Sequence, residues 1–195
     1  MKTRRIGILA LQGDFEAHRK ALARVGAEGF EVRKAEELEQ AEGLILPGGE
    51  STTMLKLLRE EGLWERLLQF GRSRPVFGTC AGAILLASKV TNPEQEALGL
   101  MDLEVERNAY GRQLHSRVAL VETEDGPLEA VFIRAPVIRR TGPGVRVLAR
   151  YKGDPVLAEE GMHMAATFHP ELTSGERVHR RFVEKVAAAA LGGVR

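Results

Sequence analysis

Apolar residues follow two rhythms along this chain. Over residues 15–27, "FEAHRKALARVGA" places them at helical spacing and closes at Gly26, which predicts an amphipathic helix. Ahead of it, "RRIGILAL" (4–11) predicts a first strand; after it, "FEVRKA" (30–35) alternates weakly and predicts a second. "GLILP" (43–47) is a short continuous apolar run, as expected of a strand covered on both faces. "STTMLKLLREEG" (51–62) opens with hydroxyls able to cap a helix and ends at a glycine, and "LWERLLQFG" (63–71) predicts another helix. "PVFG" (75–78) then gives a central strand and "AGAILLASKV" (81–90) a helix. Strands alternating with helices imply a parallel sheet with helices on both faces.

Between residues 98 and 168 the pattern changes to short alternating stretches with turn signals, such as "SRVALVETEDG", "AVFIRAPVI" and "GVRVLARYKGDPVLAEEG". These predict antiparallel strands and hairpins added to the core sheet. A last helix is expected over 174–193, closing at a glycine pair. Without an internal repeat, a low-complexity tract or a linker, the reading is one α/β domain over 1–195.

Composition narrows the classes. The 195 residues are 44% hydrophobic and 28% charged with a net charge of +1, an ordinary globular balance. No basic cluster points to nucleic acid or an anionic membrane, and no apolar run approaches the roughly 20 residues of a membrane span. The basic-then-apolar start reads as a strand rather than a leader, because Gly7 cuts the apolar run and Gln12-Gly13-Asp14 ends it. One cysteine rules out an internal disulfide framework and fits a reducing cytoplasm.

That cysteine stands in "FGTCAGA", with Gly78 and Gly82 two residues either side of Cys80, where the buried strand meets a helix. A lone thiol is commonly a core residue. The glycines and the junction favour the thiol counterpart of a nucleophile elbow, a sharp turn that needs small neighbours and projects its central side chain. The helix start favours thiolate, and the Ala81 N–H faces whatever the sulfur attacks. A thiol nucleophile needs a base. His18 and His179 fall on helices and are expected at their surfaces; His115 and His163 have no evident orienting partner. His169, in "TFHPELT", has Glu171 two residues on, on the same side if the stretch is extended, where a carboxylate can fix the imidazole tautomer. Finally, "LILPGGESTTM" (44–54) runs a buried strand into Pro47-Gly48-Gly49 and a helix start, which offers main-chain N–H groups to a ligand. No lysine follows in P-loop fashion, which disfavours a nucleotide.

Together, "ILALQGD", "LILPGGESTTM", "PVFGTCAGAILLA", "VERNAYGRQ", "FIRAP" and "TFHPELT" resemble the class I (triad) glutamine amidotransferases. Within that class they resemble the glutaminase subunit of pyridoxal 5'-phosphate synthase, the PdxT/SNO family. The resemblance implies a three-layer, flavodoxin-like α/β fold with a mostly parallel central sheet. It implies Cys80 as nucleophile, His169 as base and then acid, and Glu171 as its orienting carboxylate. Gly48 and Ala81 would supply the oxyanion hole; Gly49, Glu50, Ser51, Arg107, Ile133 and Arg134 would hold L-glutamine. No cofactor and no metal are implied. The implied partner is a synthase subunit of the PdxS/SNZ type in a 12+12 complex, with the turns at Gly48-Gly49 and Leu11-Gln12-Gly13 as the first guess for the docking face. Two other classes stay open on the residues alone: a non-catalytic docking or regulatory subunit, and a different cysteine hydrolase such as a peptidase.

Overall fold

The structure is a computed structural model and describes residues 3–109 and 116–192. Among the described residues, the main sheet has nine strands. Five of them, β1 (Arg5–Leu9), β2 (Glu28–Val32), β3 (Gly43–Leu46), β4 (Val76–Thr79) and β12 (His163–Ala166), pair in parallel in the order β2-β1-β3-β4-β12. Beyond β12 the sheet continues antiparallel through β11 (Asp154–Glu160), β10 (Arg146–Tyr151), β7 (Arg117–Thr123) and β8 (Gly126–Phe132). The parallel centre with antiparallel additions is what the patterning predicts, with one correction: β12 falls in the stretch read as antiparallel, but it pairs in parallel with β4 and only its β11 side is antiparallel.

Period-two alternation sorts the central strands between two cores. Ile6, Ile8, Ile45, Phe77, Met164 and Ala166 face α1 (Phe15–Arg24) and α6 (Arg177–Gly192), which supply Leu22, Val178, Phe182 and Val186. Leu9, Leu44, Leu46, Val76 and Ala165 face the other side, against α3 (Ser51–Glu60), α4 (Trp64–Gly71) and α5 (Ala81–Leu86). All four residues of β3 are buried, as its unbroken apolar run requires. Burying a phenylalanine such as Phe77 or Phe182 contributes about 2 to 3 kcal/mol each, and the two rings pack 5.5 Å apart.

The structure corrects several boundaries. The second strand is Glu28–Val32, starting two residues and ending three residues earlier than expected. The acidic run after it forms a further short helix, α2 (Ala35–Glu39), where the Glu37 carboxylate accepts from the N–H groups of Arg33 (2.6 Å) and Lys34 (3.0 Å). α5 does not reach residue 90: it ends at Leu86 and passes directly into β5 (Ala87–Thr91). β5 pairs in parallel with β6 (Met101–Glu106), which pairs antiparallel with β9 (Val137–Thr141). These three form a separate sheet rather than an addition to the main one, because α5 carries the chain off the sheet before β5 begins. Pairing with β6 satisfies the backbone that a longer helix would have used, and β-branched Val90 and Thr91 suit it. The stretch "AVFIRAPVI" likewise splits into β8 and β9, with Arg134 in the left-handed region (φ 47°) at the break. No helix among the described residues is long and apolar enough to cross a membrane.

Candidate active site

β4 and β12 are neighbours, with Ala166 opposite Thr79, and the chain leaves their carboxyl ends into the two chemically distinctive segments. At the end of β4, Cys80 adopts φ 50° and ψ −106°, a strained conformation for a residue with a side chain, and caps the start of α5. Its N–H donates to the Ala166 carbonyl of β12 (2.8 Å), so the turn is tied to the adjacent strand. The flanking glycines are steric necessities. A Cβ on Gly78 would collide with the Gly82 main chain, and one on Gly82 with the Leu46 carbonyl of β3. The elbow read from the sequence is therefore present, held by backbone-to-backbone packing.

Three residues past β12, His169 Nδ1 lies 2.7 Å from Glu171 Oε1. The contact is the expected one, but the local geometry differs from the extended stretch predicted. Pro170–Leu172 form a 3-10 turn, and the turn rather than strand alternation brings the carboxylate back to the ring. Burial works against a charged His169 ring, yet hydrogen bonds with Cys80 and Glu171 outweigh it and push its pKa up to about 10. The imidazole is thus held in its cationic form at neutral pH, between sulfur and carboxylate. Glu171 itself is buried.

The Pro47-Gly48-Gly49 turn leaves the end of β3 beside this pair. Gly48 packs against the imidazole, close enough that a Cβ would run into His169 Cε1, and Gly49 adopts φ 151°. Ala81 is the first residue of α5, so its N–H is among those a helix leaves without an intrahelical acceptor. On the opposite side, the Ile133 carbonyl lies 3.7 Å from Cys80 Sγ, and Arg134 is exposed at the strand break.

The residues after the turn show how the next helix is capped. Glu50, not the hydroxyl residues, is the N-cap of α3: its carboxylate accepts from the N–H groups of Thr52 (3.3 Å) and Thr53 (2.8 Å) and from both threonine hydroxyls. Partial burial would raise its pKa, but these bonds dominate and lower it to about 2. Arg107, largely buried, donates to Glu50 Oε1 at 3.1 Å. The Ser51 hydroxyl donates to Gln95 Oε1 (2.8 Å). The Tyr110 to Gln113 part of "RNAYGRQ", and His115, lie outside the described residues.

Sequence reasoning missed three contributors. The Gln12 amide accepts from the Glu50 N–H and donates to the Glu50 carbonyl, both at 3.0 Å, and so clamps the turn. Its signal was legible, since Gln12-Gly13 follows β1 at the same sheet edge. His18 and His179, expected at helix surfaces, are instead fully buried between α1, α6 and the sheet, in contact with each other, and the Thr79 hydroxyl meets His18. His163 is buried too, but at the other end of β12, away from the site; the Val76 N–H donates to its Nδ1 (3.2 Å), and burial lowers its pKa to about 4. Among the described residues no group of three or more His, Cys, Asp and Glu is placed to hold a metal ion.

An elbow thiol, a cationic imidazole and a buried carboxylate at the carboxyl edge of a parallel sheet are the equipment of acyl transfer. Their class is the glutamine amidotransferases of class I fold; a solved structure described as a glutamine amidotransferase superposes with a TM-score of 0.87 at 51% identity, covering 93% of this chain and 98% of the other. More particularly, the chain belongs to the SNO glutamine amidotransferase family, whose sequence profile matches residues 8–188. Among its relatives, the pyridoxal 5'-phosphate synthase subunit PdxT of Solibacter usitatus is 61% identical, covering 94% of this chain and 100% of the relative. The subunit of the same name from Koribacter versatilis is 54% identical over 93% and 95% of the two chains.

Proposed function

We propose that this protein is the glutaminase of a pyridoxal 5'-phosphate synthase, hydrolysing L-glutamine to L-glutamate and ammonia. One domain, residues 1–195, carries the activity in the cytoplasm. The observation that supports the reading best is the continuous line from Cys80 through His169 to Glu171 at the ends of two adjacent strands.

In this mechanism the Cys80 thiolate attacks the side-chain amide carbon of glutamine. The tetrahedral oxyanion is met by the N–H groups of Ala81 and the Gly48-Gly49 turn, each such donor being worth roughly 3 kcal/mol. His169 gives its proton to the departing nitrogen, the C–N bond breaks, and ammonia leaves a glutamyl thioester. Water, deprotonated by the now neutral His169, attacks the thioester; the C–S bond breaks and regenerates thiolate and imidazolium. Glu171 keeps the Nδ1 proton in place throughout.

The backbone of Gly49 and Ser51, with the carboxylate of Glu50, borders the substrate on one side, and Ile133 and Arg134 border it on the other. Arg107 has five N–H donors and gives Glu50 one hydrogen bond, which leaves others for the substrate's α-carboxylate. Ammonia set free in water would be protonated, so the product passes directly to a synthase subunit of the PdxS/SNZ type, in a 12+12 assembly. That subunit combines ammonia with ribose 5-phosphate and glyceraldehyde 3-phosphate. Docking uses the face around Gln12-Gly13 and Gly48-Gly49.

The test is glutamate release from glutamine in the presence of the synthase subunit. Cys80→Ala is expected to lower the rate by at least about a thousandfold. Equal rates for the wild type and the variant would refute the reading. Selective labelling of Cys80 by a glutamine-like electrophile separates an enzyme from a non-catalytic docking subunit.

A further inference from the structure

Behind the candidate active site lies a buried polar chain that the mechanism above does not use. His18 of α1 and His179 of α6 are both fully buried, and His18 Nδ1 lies 3.0 Å from His179 Nε2. On its other side, His18 Nε2 is 3.2 Å from the Thr79 hydroxyl and 3.5 Å from Glu171 Oε2. The Glu171 oxygen facing His169 is satisfied; Oε2 is buried and lacks a hydrogen bond of ordinary geometry, as does His179 Nδ1. A buried carboxylate oxygen left unpaired is costly, and such bonds commonly tighten when substrate binds.

These contacts fix where the protons are. If His18 carried its proton on Nδ1, its Nε2 lone pair would face the Glu171 carboxylate, and His179 Nδ1–H would be a buried donor with no acceptor. With the proton on Nε2, His18 donates toward Glu171 Oε2 and Thr79, its bare Nδ1 accepts from His179 Nε2–H, and His179 Nδ1 is left as a bare lone pair. Orphaned acceptors are tolerated better than orphaned donors. A charged His18 is disfavoured by burial and by the neighbouring histidines, which hold its pKa well below the usual value. Burial likewise lowers His179 to about 4, with Arg24 adding to the effect.

We propose that His18 is a positioning residue for the reaction: as the neutral Nε2–H tautomer set by His179, it holds the second oxygen of Glu171 and so aims the first at His169. This extends the mechanism proposed above and rests on it. The site is then a line of five side chains, Cys80, His169, Glu171, His18 and His179, crossing from the sheet edge into the core between two helices.

Two experiments test it. Nitrogen-15 NMR of the wild-type protein should show His18 Nδ1 as the unprotonated nitrogen and Nε2 as the protonated one; the opposite tautomer or an imidazolium overturns the proposal. Glutaminase kinetics with the synthase present should compare His18→Leu, which removes the donor, with His18→Gln, which keeps an N–H near the Nε2 position. The leucine variant is expected to lose about 30-fold in kcat with KM nearly unchanged, within the range that outer partners of a site residue command, and the glutamine variant to recover most of it. In the leucine variant the alkaline limb of the pH profile should also move to lower pH, because a less well-held Glu171 supports the His169 charge less. Equal loss in both variants, or an unmoved limb, overturns the proposal. Should either variant fail to fold, the wild-type tautomer decides. A wild type that releases no glutamate refutes the functional reading instead, and the tautomer then decides this proposal alone.

Discussion

Gly48 touches the imidazole of His169 with no room for a methyl group between them. Gly48→Ala is therefore expected to displace the ring from its line between sulfur and carboxylate. A displacement of about 1 Å can cost roughly a hundredfold in rate, so kcat should fall by about that much. The melting temperature should stay within a few degrees of wild type, since the turn lies at the sheet edge. Steady-state kinetics beside a thermal melt check this; a variant with wild-type kcat would show that the contact is idle. At this scale the sequence was legible where chemistry depends on neighbours in the chain. Cys80 between its glycines and His169 two residues from Glu171 are local patterns. His18 and His179 are 161 positions apart and meet only because α1 and α6 pack side by side on one face of the sheet. Nothing in the helical rhythm of either segment carries that information, so both were placed at surfaces. Glu50 shows the same limit: the hydroxyls beside it looked like the natural cap, and only the turn geometry makes the carboxylate the acceptor.

Among the elements, the join between β3, β4 and α5 is closely packed through main chain. Gly82 is the second residue of α5, and its absent side chain lets the helix rest on the Leu46 carbonyl of β3. Gly82→Ala should destabilise the protein by about 3 kcal/mol, the upper part of the usual range for overpacking, because the clash is with main chain and cannot be relieved by a rotamer. Urea unfolding measures it; a loss below about 0.5 kcal/mol, the size of an ordinary surface substitution, would mean the helix can shift freely. β3 and β4 were readable because strands covered on both faces must be apolar throughout. The end of α5 was not, since "AGAILLASKV" keeps an apolar rhythm through the switch from helix to strand. What ends the helix is the partner strand β6, which begins about fourteen residues further along the chain than the start of the second sheet. α2 was missed for the opposite reason: its five residues carry too little apolar pattern, and its capping by Glu37 is visible only in the fold.

For the molecule as a whole, the buried histidines set how stability responds to pH. His163 and His179 are lowered to about 4, and His18 lies well below its usual value. Each is neutral in the folded protein while the unfolded chain takes up its proton near pH 6.5. Their stabilising effect is present above that pH and is lost as pH falls toward 4. Each contributes up to about 1.4 kcal/mol per pH unit in that window. His169 acts with the opposite sign. Its raised value, about 10, means the folded state keeps a proton that the unfolded chain releases, so its contribution is full below pH 6.5 and disappears as pH rises through 10. The melting temperature should accordingly peak near pH 6.5 and decline on both sides, more steeply toward acid, where three groups act together. Calorimetry from pH 4.5 to 9 would detect this, and a flat profile between pH 5 and 6.5 would contradict it.

The adjacency of β4 and β12 has a consequence for how such an enzyme fails. Sulfur and imidazole depart from strands laced to each other by main-chain hydrogen bonds in the middle of the nine, so their alignment is inherited from the ladder instead of being negotiated by flexible side chains. Warming has no inexpensive route to part them short of splitting the sheet down its centre. Chemical competence should therefore persist almost to the point where the protein itself comes apart.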